Sequence, residues 1–295
     1  MKCSLTFVVL LSQWLFIFSH ADRILMLAPV CSKSHKISFM PIIEALAEKG
    51  HQVTVVTPFP PDDTIKNVRE VVIENNIFTE MEINWFQMSQ EGFFEFFART
   101  IKMFRMTMTI GYQQFVSNKE IQEIIHSREV DLVIVDAILN DFVLPIVDHL
   151  NVPYVFYSSA ASVPWVMNAI SAPLEYATVP NGLGDSGSEM IFMERLSNML
   201  SSELFLLVRK IFWLHALDEI AIHDFPNTRT IAEIERDSQL CILNSHPATA
   251  WTRPLPQNVI PIPALHTRPA KPLPQVYDLG LNPGCNQLIF SNKIL

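Results

Sequence analysis

Glycine is scarce in this 295-residue chain, with only 8, whereas proline reaches 20. A glycine-rich phosphate cradle is therefore not expected to carry the chemistry. Four cysteines are too few for a disulfide scaffold, and Cys3 falls in the first 21 residues, leaving Cys31, Cys241 and Cys285. Positive charge is in deficit: 21 Lys+Arg stand against 30 Asp+Glu, a formal net charge of −9. That argues against a nucleic-acid binder working through a basic face. There is no Asn-x-Ser/Thr acceptor, and no Gly-x-Ser-x-Gly elbow of an α/β serine hydrolase. What the chain does have is apolar mass, 49% against 17% charged. That is enough to bury a sizeable core.

Residues 1–21, MKCSLTFVVLLSQWLFIFSHA, carry Lys2, then an apolar stretch, then Ser19 and Ala21 as small residues before a cleavage point. They are expected to be a secretory signal peptide, with an uncleaved signal anchor as the alternative. No second run of about 20 apolar residues follows. The nearest, Met190–Leu217, is interrupted by Glu194, Arg195, Glu203, Arg209 and Lys210. It reads as one or two apolar helices, either buried or lying at a membrane surface, with burial preferred. The expected location is the secretory pathway, in the endoplasmic reticulum lumen or outside the cell, with no transmembrane tail in this chain.

Strand and helix patterns alternate after the leader. Arg23–Pro29 and Gln52–Thr57 read as buried strands flanking a helix over Ile37–Lys49, with Val30–Lys36 as a polar loop. Residues 64–86 read as mixed strands and turns. Helices are expected over Gln90–Val116, Lys119–Ser127, Asn140–Leu150 and Thr228–Arg236. Further strands are expected at Asp131–Ala137, Pro153–Ser158 and, as the last, Leu240–Asn244. Such alternation implies a parallel sheet with helices on both faces. Residues 22–246 are read as that domain. Residues 247–275 form a linker, with eight prolines between Pro247 and Pro274, and residues 276–295 form a tail too short for a domain.

In an open α/β sheet, ligands bind at the carboxyl edge of the strands. Ser34 and His35 lie in the first strand–helix connection, where a neutral imidazole can take a proton from a hydroxyl; a solvent-exposed loop histidine is the plain alternative. Asp136 ends an apolar strand at the same edge. It is read either as the partner that holds the imidazole or as a helix cap, with Asp141 the better-placed cap. Asp131, at the other end of that strand, lies at the wrong edge. The Gly182–Gly187 match to G-x-G-x-x-G lacks the preceding apolar strand that motif needs and reads as a loop. Phe93, Phe94, Phe96 and Phe97 exceed one helical stripe and read as core or as an apolar acceptor pocket. The remaining histidines show no metal-ligand spacing.

Three blocks, in order, carry a family likeness. Residues 23–59, RILMLAPVCSKSHKISFMPIIEALAEKGHQVTVVTPF, together with DLVIVDAILNDFVLPIVDHLNVPYVFYSS at 131–159 and CILNSHPATAWTRPLPQNVIPIPALHTRPAKPLP at 241–274, resemble family 1 UDP-glycosyltransferases of the insect type. The resemblance implies a GT-B amino-terminal Rossmann-like domain that binds the acceptor, with the second GT-B domain, which supplies most UDP-sugar contacts, absent from this chain. It places the general base on His35 and the orienting carboxylate on Asp136, with inversion at the sugar carbon. Ser34, Phe93, Phe97 and Ser159 become candidates for the acceptor pocket. It requires neither metal nor cofactor; a UDP-sugar, with glucose expected, is co-substrate to a small lipophilic hydroxyl compound.

The family pattern stops after Pro274, and Tyr277–Leu295 does not resemble the start of a second domain. The chain is therefore expected to be a partial, spliced or natural short form. Two readings remain open: a hexosyltransferase, or an inactive acceptor-binding or regulatory module pairing with full-length relatives. A nicotinamide-dependent oxidoreductase is weaker, because Val30–Lys36 contains no glycine.

Overall fold

A computed structural model describes residues 21–73, 92–160, 163–181, 189–246, 248, 250, 251 and 253–267; for Phe93, Phe94, Phe96 and Met108 it describes the backbone alone. Residues 1–20 of the expected leader, the Gly182–Gly187 motif and the tail lie outside the described residues. Seven strands form one parallel sheet. They are β1 Arg23–Leu27, β2 Gln52–Thr57, β3 Val68–Val72, β4 Leu132–Asp136, β5 Tyr154–Ser158, β6 Leu240–Leu243 and β7 Val259–Pro261. Their order is β3-β2-β1-β4-β5-β6-β7.

The interiors of the central strands, Ile24–Leu27 of β1 and Val133–Val135 of β4, are apolar and buried because both faces of the sheet are covered. In β1, Leu25 and Leu27 face one core, and Ile24 and Met26 face the other. Helix α1, Lys33–Glu48, runs between β1 and β2 and packs Phe39, Ile43 and Ala47 onto Ile24, Met26, Val53 and Val55. The connection from β4 to β5 leaves toward the opposite side of the sheet. Right-handed crossovers in opposite directions put their helices on opposite faces. A 3₁₀ turn, Asp141–Val143, and helix α5, Leu144–Leu150, accordingly sit over Leu25, Leu27, Val133 and Val135.

That second face is also covered by α2 Phe93–Met106, α3 Tyr112–Ser117 and α4 Lys119–Ser127; a π turn, Thr107–Gly111, joins the first two. Asn118 caps α4 by accepting from Glu120 and Ile121 at 2.9 and 3.2 Å. Helix α6 is Pro164–Ala169. Helix α7, Phe192–Val208, passes through a second π turn, Arg209–Leu214, into α8, His215–Asp224, and α9 is Ile231–Arg236. Rings from these helices form an aromatic centre: Phe104 stacks on Trp213 at 4.3 Å, and Phe205 meets both.

Three expectations need correction. Helix α1 begins at Lys33, four residues before Ile37, because Ser32 caps it; Ser34, His35 and Lys36 are helical, not loop. Leu240–Leu243 is not the last strand. Val259–Pro261, inside the proline-rich stretch, pairs with it in parallel, and three residues are too few to show a period. Burial of the apolar helices near 190–217 holds for one face only. Asn198, Ser202, Phe205, Arg209 and Trp213 are buried, while Phe192, Met193, Leu200, Leu204, Leu207, Ile211 and Phe212 are exposed.

The buried face of this continuous helical stretch holds an ion triad. Arg209 donates to Asp141 at 2.9 Å and also to Glu235, all three being buried. Burial pushes the Glu235 carboxyl up, opposed by Arg209, and the two carboxylates raise the Arg209 guanidinium. Asp141 is thus an ion-pair partner and makes no cap. Removing one member of such a set leaves the others uncompensated. Arg209→Leu should therefore destabilise the fold by about 3–5 kcal/mol, measured as a lower denaturant midpoint at unchanged slope.

Candidate active site

Strands β1 and β4 are neighbours, and the chain leaves their carboxyl ends in opposite directions. This is the topological switch point, the position at which open α/β sheets bind their ligands. Both principal site candidates arrive there. Ser32, in extended conformation, ends the β1–α1 connection, and its Oγ accepts from the His35 backbone N–H at 3.3 Å. His35 therefore occupies the third position of α1. Asp136 is the last residue of β4.

The two side chains meet across the switch point: His35 Nδ1 lies 3.0 Å from Asp136 Oδ2. Asp136 is fully buried and His35 keeps 22% of its side chain exposed. Burial pushes the Asp136 carboxyl up, and the hydrogen bond and charge of His35 oppose that shift. Facing an ionised Asp136, which only accepts, Nδ1 would carry the ring proton and leave Nε2 its lone pair. The second carboxylate oxygen accepts from the Ile138 N–H at 3.2 Å. Asp136 is thus a partner to the imidazole and to its own following turn.

Other bonds seat the imidazole. Ser38 donates to the His35 carbonyl at 2.7 Å, and Tyr157 of β5 donates to Ser38 at 3.0 Å. Lys36 is buried, and its Nζ donates to the Phe59 and Pro60 carbonyls and to Glu70. That ion pair fixes the first turn of α1 to β3. Neither link has a sequence signal, since the partners lie 34 and 119 residues away.

The acceptor-pocket candidates separate. Ser34 Oγ lies 2.7 Å from Ser32 Oγ, beside His35. Ser159 follows β5 at the same sheet edge, with a buried hydroxyl that has no hydrogen-bond partner among the described residues. Phe97 packs edge-to-face on Phe205, with ring centroids 6.5 Å apart, against the aromatic centre. The Phe93 side chain lies outside the described residues. Asp131, at the far edge, pairs with Arg23 at 2.9 Å.

Comparison with known proteins follows the same line. Residues 23–291 match the family described as UDP-glucoronosyl and UDP-glucosyl transferase, so the likeness does not stop at Pro274 as expected but runs on into the tail. The chain belongs to this family. UDP-glycosyltransferase UGT5 of Dactylopius coccus is 25% identical over 278 residues, covering 91% of this chain and 52% of that protein. UDP-glucuronosyltransferase 2B7 of Homo sapiens is 24% identical over 293 residues, covering 93% of this chain and 55% of that protein. The chain thus spans about half the length of these relatives. The calicheamicin glycosyltransferase CalG4 is 15% identical, with a TM-score of 0.44, and covers 77% of this chain and 48% of that one.

In this UDP-glycosyltransferase family chain, two sizeable hollows lie away from the imidazole. A cavity of 520 Å³ is lined by Tyr176, Arg209, Lys210 and Glu235, and one of 630 Å³ by His126, His149, His223 and Asp224. Neither includes His35 or Asp136, and volume alone does not override the switch-point geometry. Among the described residues, no three His, Cys, Asp or Glu side chains are placed to hold a metal ion, and no helix is long and apolar enough to cross a membrane.

Cys31 lies one residue before the Ser32 cap, yet it is not a nucleophile. Burial pushes its thiol up, Asp136 adds to the shift and Lys36 offsets part of it. Cys241, in β6, is pushed up to about 12 by burial. Thiolate is the reactive form. Both thiols should resist iodoacetamide at pH 8 in the native chain and react on unfolding, as read by peptide mass mapping.

Proposed function

We propose that this chain is the acceptor-side, amino-terminal GT-B half of a UDP-glycosyltransferase that passes a hexose, glucose in the first instance, to the hydroxyl of a small lipophilic compound. The observation that carries this reading is the 3.0 Å contact of His35 Nδ1 with buried Asp136 at the switch point. Nε2 of His35 accepts the acceptor's proton as its oxygen attacks the anomeric carbon of the UDP-sugar. The bond from that carbon to the diphosphate oxygen breaks, and UDP leaves with the electron pair. Asp136 stabilises the imidazolium as it forms, and the proton later passes to water. A single in-line displacement inverts the anomeric centre. Ser34 and Ser159 supply polar contacts to the acceptor. The reaction takes place in the lumen of the secretory pathway.

Incubation of the chain with UDP-glucose and a phenolic acceptor tests this directly. Glucoside should form, and His35→Ala should lower its initial rate by about 10²–10⁴-fold. Asp136→Asn should lower the rate by at least about 10²-fold, because the imidazole loses the partner that holds its tautomer. Undiminished turnover in His35→Ala sinks the mechanism. Acceptor binding without any turnover in the unsubstituted chain favours the binding-module reading.

A separate observation gives this half a second role. The outward stripe Phe192, Met193, Leu200, Leu204, Leu207, Ile211 and Phe212 is exposed on helices whose inward side is anchored by Asn198, Ser202 and Arg209. Aromatic ends, aliphatic middles and a cation at Lys210 suit an interfacial helix. We place this stripe on a lipid surface, delivering the apolar acceptor from the membrane. The chain should co-float with phosphatidylcholine vesicles, and Leu200→Glu with Leu204→Glu should abolish flotation. A detergent-sensitive dimer that ignores vesicles would assign the stripe to self-association instead.

A further inference from the structure

The β1–β4 ladder ends where Leu27 pairs with Val135. Beyond it the two chains separate, β1 toward α1 and β4 toward α5. One side chain bridges the gap. Asn140 is 1% exposed, and its Oδ1 accepts from the Val30 N–H at 2.9 Å. Its Nδ2 donates to the Val30 carbonyl at 3.0 Å and to the Ile138 carbonyl at 2.8 Å. The amide therefore spends both N–H groups and its oxygen on backbone, and it pairs with Val30 as a further strand residue would.

The two peptides it holds are the ones that aim the pair. Val30 lies two residues before the Ser32 cap, so fixing Val30 fixes where α1 begins and hence where His35 stands. The Ile138 peptide accepts from Asn140 at its carbonyl and donates from its N–H to Asp136 Oδ1. Between them, Leu139 is held at φ 65, in the left-handed region that disfavours a residue with a side chain. Such a conformation persists when its surroundings over-determine it, and the bonds of Asn140 do so.

We infer that Asn140 is a positioning residue: through Val30 and Ile138 it sets the His35–Asp136 geometry and keeps the imidazole proton on Nδ1. This rests on the reading of that pair as base and partner given above. An aspartate would fail here, because it offers no N–H to the two carbonyls. Alanine would leave the two buried backbone groups of Val30 and the part-buried Ile138 carbonyl without this partner.

The test uses the full chain with ¹⁵N-labelled histidine, His35 signals being assigned by their loss in His35→Gln. In the unsubstituted chain His35 should carry its proton on Nδ1. Asn140→Ala and Asn140→Ser should shift the tautomer ratio toward protonated Nε2 by about tenfold, the scale of one lost charge-assisted hydrogen bond. Ile231→Ala, a core substitution away from the switch point, should leave the ratio unchanged although it also weakens the fold. An unchanged ratio in folded Asn140 variants overturns the positioning role while leaving the pair intact. An unsubstituted chain with its proton on Nε2 overturns the pair and the positioning role together. If the Asn140 variants do not fold, hydrogen exchange in the unsubstituted chain decides: a Val30 amide at least tenfold slower than that of exposed Lys33 supports the clamp, and equal rates overturn it.

Discussion

A carboxylate with no solvent contact has to be matched by a donor or become neutral, and in this chain that constraint falls on Asp136. Its two oxygens face the His35 ring and the Ile138 peptide. Everything around it serves that match. The parallel sheet ends β1 and β4 side by side, the Ser32 cap starts α1 early enough to bring His35 to the third helical position, and Ser38 and Tyr157 hold the carbonyl of that residue. The bond that satisfies the buried acid is also the one on which the proposed proton transfer rests, so a single contact joins a structural need to the proposed chemistry.

Much of the sheet was legible because its central strands are short, apolar and β-branched. β1, β2, β4, β5 and β6 all read within a residue or two of their observed limits. The pairing of His35 with Asp136 was legible from one rule, that the carboxyl ends of strands converge. The residues that fix their relation were not. An asparagine at the start of a helix looks like a cap, and nothing local reveals that Asn140 reaches Val30, 110 positions away. Lys36 and Arg209 look like ordinary surface charges until their partners, 34 and 68 residues distant, are known.

The first turn of α1 was hidden for a different reason. Ser32-Lys33-Ser34-His35-Lys36 has the composition of a loop, and helix periodicity begins to show only at Ile37. A cap of one serine, supported by burial of Lys36, overrides that local preference. The apolar helical stretch at 192–224 was hidden by its inversion. Hydropathy counts apolar residues without saying which way they face, and here the polar Asn198 and Ser202 turn inward because Asn181 supplies their bonds.

The short strand β7 has a consequence for solubility. Among the described residues the sheet ends there in a row of backbone groups, of which the Val259 N–H already donates to the Pro256 carbonyl at 3.0 Å. That row is only three residues long, and it closes on Pro261, which has no N–H to offer. A visiting strand would find too few donors and a ring in its path. The proline-rich stretch thus works as a bumper, letting the sheet stop without inviting a neighbour to extend it.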